Sequence, residues 1–136
     1  MTTVADGERD LATLLRSLRP VRRPGTWVWA SVPADAVPAG ARPDVVVVED
    51  EGTTLVVRRE EADALGLAHV FPCAWLTLRV HSALDAVGLT AAVAGALTEA
   101  GISANVVAGR YHDHLLVPED RADEALAVLN ALAEAS

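Results

Sequence analysis

A diverged internal repeat is the feature of this sequence that most restricts its fold. Residues 44–66 align with residues 104–126 at a shift of 60, without a gap. The identities fall mostly at apolar positions and pair Val46, Val47, Leu55, Val57, Ala62 and Asp63 with Val106, Val107, Leu115, Val117, Ala122 and Asp123. Such a repeat predicts two related supersecondary units rather than one irregular domain.

The two copies differ in length between their first and second predicted strands. Residues 22–33 align with residues 70–81 at a shift of 48. This alignment pairs Pro24, Trp27 and Val32 with Pro72, Trp75 and Val80. The shift grows from 48 to 60, a difference of 12 residues, which corresponds to about three turns of α-helix. We therefore predict that the second copy has a helix where the first has only the proline-containing loop 34–43.

Composition and charge exclude several classes of protein. With 136 residues, 51% of them hydrophobic, the chain can bury a core and is not disordered. No apolar run reaches the roughly 18 residues of a membrane helix, and the polar start is unlike a signal peptide, so we expect a cytoplasmic protein. A net charge of −8 without any lysine argues against nucleic-acid binding. The single cysteine, Cys73, excludes an intramolecular disulfide.

Hydrophobic periodicity predicts the helices and strands. Leucines at helical spacing predict an amphipathic helix over residues 8–18, and Pro20 stops it. Residues 45–48 are an unbroken apolar run, too short for a helix, which predicts a strand covered on both faces. In the second copy the predicted order is strand, helix, strand, strand, helix, which is the split β-α-β arrangement without its last strand.

The missing strand suggests how the chain is organised. At the shift of 48, residues 10–18 align with residues 58–66, so we predict that the N-terminal helix and the short segment after it complete the architecture. The predicted fold class is α+β, with two ferredoxin-like units in tandem and helices on one face of antiparallel sheets. The predicted domains are residues 1–72, with a shortened first helix, and residues 73–136. Neither half is expected to fold alone.

Several separated motifs resemble those of the ACT domain. They are D-A-V-G-L-T at residues 85–90 and A-G-I-S-A-N-V-V at residues 100–107. The chain from about residue 10 to residue 133 is similar to small bacterial tandem-ACT proteins, with E-E-A-D-A-L-G-L at 60–67, F-P-C-x-W at 71–75 and Y-H-D-H at 111–114. The resemblance implies βαββαβ units that sense amino acids or similar metabolites, usually where two ACT units meet, without catalysis.

The start of the predicted helix after Gly88 is the candidate ligand site. Glycine permits a tight turn there, and the free amides of the first helical turn suit a carboxylate. Asp113 can receive an ammonium group, and related tandem ACT modules carry an aspartate in the corresponding hairpin. The candidate ligand-binding residues are Asp85, Val87, Gly88, Leu89, Asn105 and Asp113. Because the first copy has Thr53 where the second has Asp113, we expect one site per chain.

Some of these residues have structural alternatives. Asp85 can favour the helix start without any ligand, and Asn105 can satisfy backbone groups in its strand. His112 and His114 lie on one side of a predicted strand, and His81 is a third histidine. Two ligands are too few for a metal ion, so we expect no metal site.

The sequence therefore favours a non-catalytic regulatory module that binds an amino acid or a related metabolite. Binding would change self-association as a homodimer or contact with a partner protein. The alternative that stays open is a structural or protein-interaction domain whose ancestral pocket is empty. We expect no enzyme, no catalytic residues and no cofactor, since no nucleophile or cofactor site converges with residues 112–114. Membrane and nucleic-acid partners are not expected, and the sequence leaves the ligand's identity open.

Overall fold

The structure, a computed structural model, describes residues 7–136. The helices and strands are α1 (Leu11–Arg16), β1 (Pro20–Val32), β2 (Val45–Glu49), β3 (Gly52–Arg58), α2 (Arg59–Ala64), β4 (His69–Leu78), α3 (Leu89–Glu99), β5 (Asn105–Ala108), β6 (Asp113–Pro118) and α4 (Ala122–Glu134), with a 3-10 turn at Glu119–Arg121. Residues 33–44 contain neither helix nor strand. Among the described residues, no helix is both long and apolar enough to cross a membrane.

The chain divides into two compact units. The two long strands, β1 and β4, each begin in one unit and end in the other. The terminal unit comprises Met1–Pro24 and Ala74–Ser136, and the central unit comprises Gly25–Cys73. Strands β1 and β4 cross these boundaries, so each contributes a segment to each unit. The terminal unit thus contains α1 together with the second copy of the repeat. The division into domains after residue 72 stays a prediction.

Each unit has the strand order of a ferredoxin-like sheet. The order is β2-β3-β1-β4 in the central unit and β1-β4-β6-β5 in the terminal unit. Strand β3 pairs antiparallel with β1 and β2, and β5 pairs antiparallel with β6. The first segment of β1, residues 20–24, supplies the strand that the second copy lacks. This confirms the predicted α+β fold, in which the N-terminal helix and the segment after it complete the architecture.

The core of the terminal unit lies between one face of its sheet and three helices. Helices α1, α3 and α4 contact one another. Leu14, in α1, and Leu18, which follows this helix, are fully buried. The strand residues of this core alternate along β4 and β6, as expected when one face of a sheet is covered. They are Ala74, Leu76, Leu78, Leu115 and Val117. The N-terminal segment is therefore part of this core.

The central unit has a smaller core, and one of the sequence predictions about it is wrong. Its buried residues are Val28, Val32, Leu55, Val57 and Ala62. Residues 45–48 do form strand β2, but Val46, Val47 and Val48 are 52%, 44% and 78% exposed, so the strand is not covered on both faces. The reason is that β2 ends the strand order and follows a loop instead of a helix that would cover one of its faces.

The F-P-C-x-W motif shapes β4 where this strand leaves the central unit. Phe71 has a φ of 59°, a left-handed conformation that costs an L-residue of order 1–3 kcal/mol. Cys73 is fully buried, and its thiol donates a hydrogen bond to the carbonyl oxygen of Phe71 at 3.0 Å. Cys73 therefore has a structural role within the F-P-C-x-W motif.

Truncation of Leu18 to alanine tests whether the N-terminal segment is part of the core. Because the side chain is fully buried, Leu18→Ala should lower the free energy of unfolding by about 2–5 kcal/mol in urea denaturation. Leu84→Ala is the matched control, since Leu84 is 70% exposed, and it should change the stability by less than about 0.5 kcal/mol. Equal stability of the two variants would contradict this account of the core.

Candidate functional site

Helix α3 begins with a turn that requires glycine and leaves its first amides uncapped. Gly88 is the N-cap, with φ 101° and ψ −17°, and no described side chain caps the helix. A Cβ atom at Gly88 would lie 3.1 Å from Cδ2 of Leu11, so a side chain is disfavoured by space as well as by conformation. The first bond of the helix runs from the Ala92 amide to the Gly88 carbonyl at 2.9 Å. The amides of Leu89 and Thr90 precede that bond.

Asp113 lies beside this helix start, across a small cavity. The cavity has a volume of about 70 Å³ and is lined by Ser82, Ala83, Leu84, Ala86, Leu89, Thr90, Ala108 and Asp113. Asp113 is half-buried, and its Oδ2 accepts a hydrogen bond from the Ser82 hydroxyl at 3.1 Å. The structure therefore brings Asp113 and the helix start after Gly88 together. Leu89 is only 4% exposed, so it can offer its main chain to a ligand but not its side chain.

Asp85 is held by an arginine from the N-terminal segment. Its Oδ1 and Oδ2 accept hydrogen bonds from Nε and Nη2 of Arg9 at 2.9 and 3.2 Å. These bonds from Arg9 lower the pKa of the Asp85 carboxyl below its ordinary value. Both residues line a second cavity of about 190 Å³, together with Ala83, Leu84 and Arg110. Asp85 is thus close to the predicted site, but its carboxylate already has a cationic partner.

The other two candidates lie away from these cavities. Val87 is 84% exposed, and neither cavity has it among its walls. Asn105 is exposed at the start of β5, opposite Leu116 in the register with β6. It is three residues from Ala108, the β5 residue that lines the smaller cavity, a separation of about 10 Å along a strand.

Four polar residues that line the cavities are not among the predicted site residues: Arg9, Ser82, Thr90 and Arg110. Ser82 lies three residues before the motif at residues 85–90, so its polar side chain is a signal that the sequence offers. Arg9 is 76 residues from Asp85, and no spacing rule connects the two positions. Residues 7–10 come to this place because Glu8 forms a parallel bridge to Ser82.

His114 has a structural role in the terminal unit. Its Nδ1 accepts a hydrogen bond from Trp75 Nε1 at 3.2 Å and lies 3.0 Å from the Thr77 hydroxyl oxygen. Because an indole N–H only donates, this nitrogen must be unprotonated to accept it. Burial is the main cause that lowers the pKa of His114. The charges of His112 and Arg23 also lower this pKa, whereas the charge of Asp113 raises it. Within residues 7–136, no group of three or more histidine, cysteine, aspartate or glutamate residues is arranged to hold a metal ion.

A larger cavity, of about 440 Å³, belongs to the central unit. Its walls are Trp29, Ala30, Ser31, Thr54, Ala68, His69 and Val70. The Nε1 atom of Trp29 is buried, and no described group accepts a hydrogen bond from it. No residue of a helix is among these walls, so the cavity has no helix start. The candidate site is therefore the smaller cavity beside α3, whose walls include the carboxylate of Asp113 and the first residues of the helix.

Comparison with known proteins agrees with this architecture. Two family models described as ACT domain match residues 6–74 and residues 70–131. The chain belongs to the ACT domain family. A solved structure of the Vibrio cholerae protein VC0802, described as of unknown function and a possible transport protein, is 41% identical to this ACT protein. The similarity covers 90% of this chain and 95% of VC0802, with a TM-score of 0.81.

More distant structures share the fold of this ACT protein. Protein Atu0741 from Agrobacterium tumefaciens has 22% identity and a TM-score of 0.68, over 80% of this chain and 84% of that one. The ligand-free regulatory subunit of aspartate kinase from Thermus thermophilus has 10% identity and a TM-score of 0.62, over 85% of this chain and 97% of that one. No curated protein sequence matches the chain significantly.

The environment of His114 predicts a dependence of stability on pH. Its folded pKa is lower than the ordinary value of 6.5, so the folded protein binds fewer protons than the unfolded chain below that pH. The contribution to stability is complete above pH 6.5 and is lost as the pH falls through the folded pKa. The melting temperature should therefore fall between about pH 7.5 and about pH 5.5.

Two variants assign this effect to one residue. In His114→Gln the side chain cannot titrate, but its amide oxygen can still accept the Trp75 N–H. The fall in melting temperature should be smaller than in the unmodified protein. His69→Gln, at a histidine that is not among the charges acting on His114, is the control and should keep most of the fall. If both variants keep the full dependence, His114 is not its source.

Proposed function

We propose that this ACT protein is a non-catalytic regulatory module that binds one amino acid, or a closely related metabolite, per chain at the start of α3. One observation carries the proposal: an uncapped helix start faces a half-buried carboxylate, Asp113, across a small cavity. The ligand's carboxylate accepts hydrogen bonds from the amides of Leu89 and Thr90, at the positive end of the helix dipole. Its ammonium group donates to Asp113.

The position of Asp113 supports this assignment of charges. Its Oδ2 accepts from the Ser82 hydroxyl, which fixes the orientation of the carboxylate and leaves its other oxygen for a ligand. A charge-assisted hydrogen bond of this kind contributes about 1.5–3 kcal/mol. For a ligand as small as an amino acid, two such contacts give a dissociation constant from about micromolar to about millimolar. That range suits a protein that reports a metabolite level inside the cytoplasm.

Regulation follows from linkage between binding and association. The amino acid shifts an equilibrium only by the difference between its affinities for the two states. We propose that these states differ in association, either with a second copy of the chain or with a partner protein. Helix α1 takes part in this linkage, because its residue Leu11 lies against Gly88 at the start of α3.

A protein-interaction domain with an empty pocket is the second candidate. One observation favours it: the three exposed valines of β2 form an apolar edge of the central unit. Exposed apolar residues on an edge strand are typical of surfaces that pair with another chain. Catalysis finds less support, because the accepting nitrogen of His114 is already bonded to Trp75.

A thermal-shift screen of the proteinogenic amino acids tests the proposal. At about ten millimolar, a ligand with a dissociation constant a hundredfold lower adds about 2.7 kcal/mol to the free energy of unfolding. At least one amino acid should therefore raise the melting temperature by several degrees. Asp113→Asn should remove most of this rise, because the ammonium group loses its charged partner.

Asp35→Asn is the matched control for that variant. Asp35 is exposed in loop 33–44, so the substitution removes the same charge far from α3 in sequence and should leave the rise unchanged. A flat screen of the unmodified protein would leave the interaction role as the better account. Equal shifts in both variants would move the binding site away from Asp113.

A further inference from the structure

The cavity beside α3 has a neighbour that offers space for more of a ligand. The cavity itself has a volume of about 70 Å³, and its walls include Asp113 and the first residues of α3, the partners proposed for the ammonium and carboxylate groups. Ala83 and Leu84 are walls of this cavity and also of the second one, of about 190 Å³. The side chain of the ligand therefore has a neighbouring space in which to lie.

Arg9 is fixed at that second cavity by its backbone and by its side chain. The amide of Glu8 donates to the His81 carbonyl at 2.8 Å, and the Ala83 amide donates to the Glu8 carbonyl at 2.9 Å. These bonds hold residue 9 beside the loop that leads into α3. The paired bonds to Asp85 then orient the guanidinium group. Little conformational entropy remains to be lost when this group binds a ligand.

The guanidinium group of Arg9 keeps donors for a second anion. It carries five N–H groups, and the bonds to Asp85 come from Nε and Nη2. No residue of the described chain accepts a hydrogen bond from its Nη1. The side chain is about half exposed, at 51%, so an anion in the cavity can reach it. Arg110 is a further residue of these walls.

We propose that Arg9 is a further ligand-binding residue, and that it selects an amino acid with an acidic side chain. The inference rests on the proposed function. The α-ammonium and α-carboxylate groups of the ligand bind at Asp113 and at the start of α3, and the side-chain carboxylate accepts from Nη1 of Arg9. Asp85 is a positioning residue that orients Arg9. A cationic side chain meets the guanidinium group of Arg9 in this cavity, and a neutral one gains no charged contact.

Calorimetric titration with two acidic amino acids and their amides tests the selection. L-aspartate and L-glutamate should bind the unmodified protein about 10- to 100-fold more tightly than L-asparagine and L-glutamine, since one charge-assisted contact distinguishes them. Arg9→Gln should reduce this ratio to about one by weakening only the acidic ligands. Arg79→Gln, at an exposed arginine that lines neither cavity, is the control and should keep the ratio.

Asp85→Asn separates positioning from binding. It leaves Arg9 in place but less well oriented, so the ratio should fall and remain above that of Arg9→Gln. If the amides bind as tightly as the acids, or if Arg9→Gln keeps the ratio, the role of Arg9 is wrong. If neutral or basic amino acids bind and Asp113→Asn abolishes their binding, the proposed function stands and this selection is overturned. If no amino acid binds, both fail.

Discussion

An unpaired sheet edge is the constraint on which the rest of this structure depends. In the described residues the strand beside β4 in the terminal unit is the first segment of β1, which precedes β4 in the chain. Open sheet edges with free backbone groups are a liability. The two long strands satisfy this constraint, because each contributes a segment to both units. Strand β4 ends the strand order of the central unit, and β1 ends the strand order of the terminal unit. A boundary between the two units therefore falls inside each of the long strands.

The geometry of the candidate site depends on the segment that leads into β1. The segment that leads into β1 carries α1, whose Leu14 belongs to the terminal core. The same segment brings Leu11 against Gly88 and Arg9 against Asp85. The segment that leads into β1 therefore both completes the strand order of the terminal unit and supplies walls of the candidate site. A ligand that moves the start of α3 must also act on α1, which gives binding at the site a physical route to the rest of the terminal unit.

The fold could be predicted from the sequence because the repeat, the helical leucines and the glycine turns are local or periodic signals. Gly88 and Asp113 could be found in the same way, since a helix start and a hairpin carboxylate follow from residue chemistry. The pairing of Arg9 with Asp85 could not, because it joins positions that no pattern links and depends on where the N-terminal segment runs. The prediction that β2 is covered on both faces is wrong for a related reason. An apolar run reveals a strand, but only the neighbouring elements decide which of its faces are covered.

The two copies of the repeat differ at the positions of the candidate site. In the alignment Thr53 takes the place of Asp113, and in the structure Thr53 is only 3% exposed, paired with Val32 and Val48 in the sheet. The loop that replaces a helix in the first copy removes the amide donors at the equivalent position. What remains in the central unit is a larger cavity beside Trp29, without the helix start that would bind a carboxylate. The absence of a helix between β1 and β2 therefore has two effects in the described structure: the central unit has no helix start equivalent to that of α3, and the valines of β2 stay exposed.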